Sequence, residues 1–134
     1  GFSGDGGPAT RARLNAPLSL AIDGANNIYF SDFANGRVRR IGADGVITTL
    51  GSGLAQPTGV ALDPQGNLLS VECPTRGSGA ITRVNLTTRQ ATRVAGGGSL
   101  MGAAADGQPA TNAFLNCPTG IAVDVGGNVY FADY

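Results

Sequence analysis

Short apolar runs alternate with polar turn segments along the chain, and one such segment occurs three times. The copies span residues 17–32, 57–72 and 118–133, and their starts lie 40 and then 61 residues apart. Each copy begins with Pro, reaches Asp at its seventh position and has Asn four residues later. Repeats on this scale indicate one supersecondary unit whose copies bury their cores against each other.

Each unit predicts a series of short β-strands separated by turns rich in Gly, Asn and Asp. The predicted strands are 18–22, 28–30, 38–41 and 46–50 in the first unit, 60–62, 68–71, 81–84 and 91–94 in the second, and 121–123 and 129–132 in the third. Four short antiparallel strands followed by a connection are typical of a β-propeller blade. The sequence therefore predicts an all-β chain of about two and a half blades, with units at residues 17–56, 57–117 and 118–134.

The connections carry a second repeat. Residues 5–17 match residues 106–118 through an Asp-Gly turn and a Pro-Ala-Thr sequence. Proline in a first turn predicts one helical turn in each, after which Leu14 or Leu115 packs under a blade. Residues 1–16 are interpreted as the connection from a preceding blade.

Composition narrows the function classes. Nine Arg balance nine acidic residues, so no basic field favours nucleic acid or anionic lipid. Basic residues cluster at Arg37, Arg39 and Arg40, but alternation sends them to different sheet faces. No apolar run is long enough for a membrane span. The chain has no His or Lys, which removes the usual neutral-pH base, the commonest zinc ligand and Schiff-base chemistry.

These motifs resemble the NHL repeat. The resemblance lies in Pro-Thr-Gly-Ile-Ala-Val-Asp from Pro118, in Asn-Gly-Arg-Val from Asn35, and in the Gly-Phe-Ser-Gly-Asp-Gly-Gly-Pro-Ala-Thr connection from Gly1. The last is similar to bacterial secreted NHL proteins and to teneurin-like ectodomains. The second unit departs from the pattern, because Glu72 replaces the strand-end Asp and Ala80 replaces Arg37.

The resemblance implies a closed propeller, commonly with six blades. An open arc of two and a half blades would expose apolar blade sides that promote aggregation. We therefore expect the chain to be part of a longer propeller or to be completed by further copies of itself.

Two sets of acidic residues are candidates for chemistry. The first ends the second strand of each unit, at Asp32, Glu72 and Asp133. It is interpreted either as a set of charge pairs, such as Asp32 with Arg37, or as part of a ligand-binding face. The candidate binding residues on that face are Asp32, Asn35, Arg37, Glu72, Arg76 and Asp133.

The second set consists of Asp23, Asp63 and Asp124, each followed four residues later by Asn. These residues either form a ring of calcium ligands or cap their own hairpin turns. Recurrence in every unit favours the turns, because a turn must be rebuilt in each blade. No catalytic residue and no metal site is assigned, and calcium is the one cofactor considered.

Cys73 and Cys117 are the only cysteines. Cys73 follows the second strand of unit two and Cys117 precedes the first strand of unit three, and these two loops open on the same face of a propeller. A disulfide between adjacent blades is therefore expected, with two thiols as the alternative. The disulfide would indicate an oxidising compartment, which is secreted, extracellular or periplasmic.

The leading hypothesis is a non-catalytic extracellular scaffold that binds a protein, a glycan or copies of itself. The loops at residues 32–35, 73–78 and 101–116 would carry the contacts, because function tends to lie on loops held by a rigid frame. The alternative is a segment of a metal-dependent six-bladed lactonase or lyase, to which other blades would supply the catalytic residues.

Overall fold

The computed structural model describes residues 2–52 and 54–134 as ten antiparallel strands in three sheets. Blade 1 contains β1 (Pro17–Ile22), β2 (Ile28–Asp32), β3 (Arg37–Ile41) and β4 (Ile47–Ser52). Blade 2 contains β5 (Pro57–Leu62), β6 (Leu68–Glu72), β7 (Ala80–Val84) and β8 (Ala91–Gly96). Blade 3 contains only β9 (Ile121–Val123) and β10 (Val129–Phe131).

Every predicted strand is present, and the order within each sheet follows the chain. Most strands extend one to three residues beyond their predicted ends, because the ladder continues past the apolar run into the loops. The chain is therefore an all-β arc of propeller blades. Gly1 of the N-terminal motif and residue 53 of the connection between blades 1 and 2 lie outside the described residues.

Helical structure among the described residues is limited to four 3-10 turns, at Ala9–Arg11, Phe33–Asn35, Gly102–Ala105 and Ala110–Asn112. Two of them confirm the helical turn predicted at the Pro-Ala-Thr motifs. None of the helical segments in the described part of the chain could cross a bilayer.

The core lies between blades rather than within them. Tyr29, Val38 and Leu50 of blade 1 pack against Val60, Leu68 and Val84 of blade 2. Side chains alternate across a strand, so a blade in the middle of the arc needs apolar residues on both of its faces. Accordingly, all five residues of β6 are buried.

The second interface uses the opposite face of blade 2. Leu69, Ile81 and Ala95 form a cluster with Leu115 of the connection, and apolar side chains of β9 and β10 pack against it. The prediction that a connection leucine packs under a blade is confirmed for Leu115, which is 5% exposed. Its counterpart Leu14 is 43% exposed, because no described element covers that side of blade 1.

The innermost strands β1, β5 and β9 lie close together and are joined by polar contacts. The backbone N–H of Val60 donates to Ser19 Oγ at 3.1 Å, and Thr58 Oγ1 donates to the carbonyl of Pro118 at 3.0 Å. At Gly59 a Cβ atom would lie 2.7 Å from the carbonyl oxygen of Thr119. The close approach of β5 to blade 3 therefore requires glycine at this position.

Candidate binding face

The loop face is defined here as the β2–β3 loop, the β6–β7 loop and the connections that enter β1, β5 and β9. Up-and-down topology places these segments at the same end of the blades. A similar hydrogen bond recurs in all three units, at positions that differ by one residue: the N–H groups of Ala34, Cys73 and Tyr134 donate to the carbonyls of Asn15, Gln56 and Asn116. Each connection is thus tied to the loop that follows the second strand of its own blade.

Asp32 is fully buried at the base of this face in blade 1. Its carboxylate accepts hydrogen bonds from the backbone N–H of Asn15 at 2.7 Å and from the Asn35 side chain at 2.9 Å. Its ion pair is with Arg39, whose Nη1 lies 3.5 Å from Oδ2. Asp32 therefore contacts Asn35 and pairs with Arg39, whereas the predicted pair of Asp32 with Arg37 does not form.

The guanidinium of Arg37 instead contacts an aromatic ring. Its guanidinium stacks over Phe2 at 3.8 Å from the ring centroid, although Arg37 and Asp32 are direct partners across β2 and β3. The predicted division of the arginines between the two faces is confirmed, since Arg39 also approaches Phe2, at 5.2 Å, whereas Arg40 bonds Asn27. Arg37 thus has a cation–π contact.

Arg39 is the residue on which blade 1 and its connection converge, and sequence analysis missed this role. Its buried guanidinium donates to the carbonyls of Ser3 and Arg13 and to Asp5, with Nη2 2.8 Å from Oδ1. The N-terminal connection also runs along β4, where Gly6 and Gly7 exchange backbone hydrogen bonds with Ile47. Only the path of that connection could have revealed Arg39 as its anchor.

Blade 2 also holds the connection that precedes its first strand, but with different residues. Glu72 occupies the position of Asp32, and Thr82 occupies that of Arg39. The Glu72 carboxylate accepts from Thr82 Oγ1 at 2.5 Å and from the backbone N–H of Ala55 at 3.0 Å. The longer side chain of Glu reaches a shorter partner, so the connection is still held without an arginine.

The remaining candidates are placed differently. Arg76 lies exposed in the β6–β7 loop, Asp133 lies exposed after β10, and Asn35 is partly exposed in its 3-10 turn. Asp32 and Glu72 are buried, and Arg37 is partly buried. Direct contact with a ligand is therefore open to Asn35, Arg37, Arg76 and Asp133, and their binding role stays a prediction.

Cys73 and Cys117 form the expected disulfide, with Cα atoms 4.3 Å apart. The bond joins the β6–β7 loop to the connection that enters β9. Ser78 reinforces the same junction, because its hydroxyl accepts from the backbone N–H groups of Gly97 and Leu115. Blades 2 and 3 are thus held together covalently on the loop face.

The repeated Asp-Asn pairs cap turns at the opposite end of the blades. Asp23 accepts from the side chain and backbone of Asn27 and from the backbone of Ala25, and Asp63 and Asp124 repeat the contacts with Asn67 and Asn128. This geometry matches the turn interpretation. Within residues 2–52 and 54–134, no three His, Cys, Asp or Glu side chains form a group suited to a metal ion.

These contacts shift the acidity of the turn residues. Hydrogen bonds from the Asn27 side chain and backbone lower the pKa of Asp23 from 3.8 to about 2, with smaller contributions from Tyr29 and Ala25. The Asn128 side chain likewise lowers the pKa of Asp124. Burial, followed by the hydrogen bond to Asp23, raises the pKa of Tyr29.

Comparison with known proteins supports the architecture. No family model matches the chain. A stretch of 40 residues is 48% identical to teneurin-1 of chicken, and it represents 30% of this chain and 2% of the teneurin. The same values hold for human teneurin-1. The chain thus spans only a small part of the curated relatives that it matches.

Two solved structures show the same fold over most of the chain. A gluconolactonase from Xanthomonas campestris superposes with a TM-score of 0.69 at 25% identity, covering 90% of this chain and 36% of its own. A catalytically inactive His-to-Ala variant of virginiamycin B lyase from Staphylococcus aureus, solved with quinupristin, gives 0.61 at 17%, covering 87% and 34%. The chain corresponds to about a third of each structure.

The first prediction concerns the acid response of the Asp23 turn. The lowered pKa stabilises the fold above about pH 4, and this contribution is lost as the pH falls through about 2. An NMR titration of the side-chain carboxyl carbons should therefore place the Asp23 midpoint near 2. The Asp23→Asn variant should lose less stability than the parent between pH 4 and 2, and a midpoint at the usual 3.8 would contradict the geometry.

The second prediction concerns the disulfide, which closes a loop with a sequence separation of 44. Replacing both cysteines by serine should lower the free energy of unfolding by about 3–4 kcal/mol, because the unfolded chain regains the entropy of that loop. Urea denaturation with and without reductant measures this change. Reductant should destabilise the parent and leave the double variant unaffected; equal stability of all four samples would refute the bond's role.

Proposed function

We propose that this chain is part of a closed NHL-type propeller that serves as a non-catalytic extracellular scaffold. In this proposal residues 1–134 belong to a single propeller domain, with units at 17–56, 57–117 and 118–134 and a connection at 1–16. Neighbouring blades of the natural polypeptide cover both ends of the arc. The loop face then presents contacts to a protein or glycan.

The observation that supports the proposal is a difference in side-chain exposure between equivalent residues of blades 1 and 2. Leu20 of β1 is 63% exposed, whereas Val60, at the same position of β5, is 4% exposed because blade 1 covers it. Leu18 and Ile22 are also exposed. On this side of blade 1, Leu18 and Leu20 line an apolar cavity of about 340 Å³ together with Ile28, Phe30 and Ile41. Exposed apolar surface of this kind marks an interface.

The other end of the arc presents the complementary surface. Tyr130 of β10 is 58% exposed, whereas Tyr29, at the same position of β2, is 3% exposed and packs against blade 2. The Leu20 side of blade 1 and the Tyr130 side of blade 3 therefore correspond to the two faces of the interface between blades 1 and 2. No described blade covers either of them. A preceding blade that presents a Tyr29-like face fits the side of Leu20, and a following blade with a Leu68-like face fits Tyr130.

Secretion rests on two supports. The disulfide between Cys73 and Cys117 favours an oxidising compartment. The second support is the likeness to teneurin-1, which is 48% identical over 40 residues and agrees with the resemblance of the N-terminal connection to teneurin-like ectodomains. We propose that the exposed Arg76 and Asp133 contact the ligand, together with the partly exposed Asn35 and Arg37. The buried Asp32 and Glu72 hold the loops of this face.

The alternative function is enzymatic, and the likeness to a gluconolactonase at 25% identity is the observation that favours it. Against it, the strand-end carboxylates Asp32 and Glu72 are buried in structural hydrogen bonds. The chain also has no histidine, so other blades would have to supply any histidine of such an enzyme. Metal analysis of the natural protein separates the two readings: stoichiometric bound metal would favour the enzyme, and its absence is expected here.

The third prediction tests whether the Leu20 face is covered. In the natural protein, Leu20→Asp should lower the free energy of unfolding by at least about 3 kcal/mol, because it places an unpaired charge in a blade–blade core. Met101→Asp is the matched control, since Met101 is an exposed apolar residue of a connection. This control should change stability by no more than about 0.5 kcal/mol.

Chemical denaturation of the three proteins gives the comparison. Equal, small effects of the two substitutions would mean that the face of Leu20 remains bare, and the closed propeller would be rejected. Native mass measurement then distinguishes closure within one polypeptide from closure by a second copy, which would double the particle mass.

A further inference from the structure

A polar cavity of about 230 Å³ lies between blades 1 and 2, away from the loop face. It is lined by Tyr29, Arg40 and Leu50 of blade 1 and by Leu86 and Arg89 of the β7–β8 segment of blade 2. Two arginines from different blades therefore line one small space.

Neither arginine has an acidic partner. Within the described residues the ion pairs are those of Arg39 and Arg83, and none involves Arg40 or Arg89. Asp23 accepts from Asn27 and Tyr29, and Asp44 accepts from the backbone of Val46. The residues that line the cavity thus include two arginines and no carboxylate.

Comparison of blades 1 and 2 explains why Arg40 forms no ion pair with the Asp of its own turn. In blade 2 the equivalent Arg83 lies opposite Leu69, and its Nε approaches Asp63 Oδ2 at 3.2 Å. In blade 1 Arg40 lies opposite Tyr29, whose hydroxyl donates a hydrogen bond to Asp23 Oδ2 at 2.9 Å. Arg40 therefore donates to the Asn27 amide oxygen instead, and its charge is left without a carboxylate.

We propose that this cavity binds a small oxyanion, that is a phosphate, sulfate or carboxylate group, between Arg40 and Arg89. Guanidinium groups bind planar or tetrahedral oxyanions through paired charge-assisted hydrogen bonds. The cavity volume is below the range of drug-sized ligand pockets, so it admits an anion or the charged end of an acidic sugar. The site is independent of the loop face.

The test is calorimetric titration of the protein with inorganic phosphate, with sulfate and with glucuronate, at low ionic strength because salt screens such contacts. Saturable binding of at least one anion is expected at millimolar or lower concentration, and the tightest of the three identifies the source of the group. Arg89→Gln should weaken it about tenfold, because a charge-assisted contact is lost.

Tyr29→Phe provides a second variant, because it leaves Asp23 Oδ2 to Arg40 as in blade 2 and should also weaken binding several-fold. Arg11→Gln is the control, since Arg11 is exposed in the N-terminal 3-10 turn. Circular dichroism confirms that each variant is folded. Absence of saturable binding, or equal weakening by Arg11→Gln, would overturn the proposal; so would full binding by the Arg89→Gln protein.

Discussion

Burial of apolar side chains between blades is the constraint on which this structure depends. No blade encloses a core of its own: Tyr29, Val38 and Leu50 are buried only because Val60, Leu68 and Val84 face them. The free energy of apolar burial, about 25 cal/mol per Å², is therefore gained at interfaces and not within sheets. Blade 2 is covered on both sides, while blades 1 and 3 each leave one face uncovered.

The second organising feature is the attachment of each connection to its blade. In blade 1 the buried Asp32–Arg39 pair holds Asn15, Ser3, Asp5 and Arg13. In blade 2 the Glu72–Thr82 contact holds Ala55 and needs no cation. Different residue pairs thus produce the same loop geometry, which explains how the motif can change at Glu72 and Ala80 while the blade remains regular.

Much of the fold was predictable because its determinants are local. Strand positions follow from apolar runs, and the Asp-Asn turns follow from contacts within four residues, as at Asp23 and Asn27. The disulfide followed from topology, since two loops at one end of adjacent blades must meet.

The candidate site was less predictable because it depends on chain paths that local patterns do not encode. Arg37 was expected to pair with its cross-strand neighbour Asp32, but the ring of Phe2, 35 positions earlier in the chain, takes its guanidinium. Local sequence does not predict the different roles of Arg39 and Arg40. Arg39 anchors the N-terminal connection, whereas Arg40 bonds Asn27 because Tyr29 bonds Asp23. The sequence motifs around Leu14 and Leu115 are alike, so they do not predict which of the two leucines is buried. Leu115 is buried because a neighbouring blade covers it, and no described blade covers Leu14.

Native-state hydrogen exchange on the 134-residue chain tests most directly whether stability is gained between blades. The amides of β6 and β7, in the blade covered on both sides, should exchange slowest and only through global unfolding. Those of β9 and β10, whose outer face is bare, should exchange fastest among the strands. Equal protection across the three blades would contradict the account, because it would mean that each sheet is stable on its own.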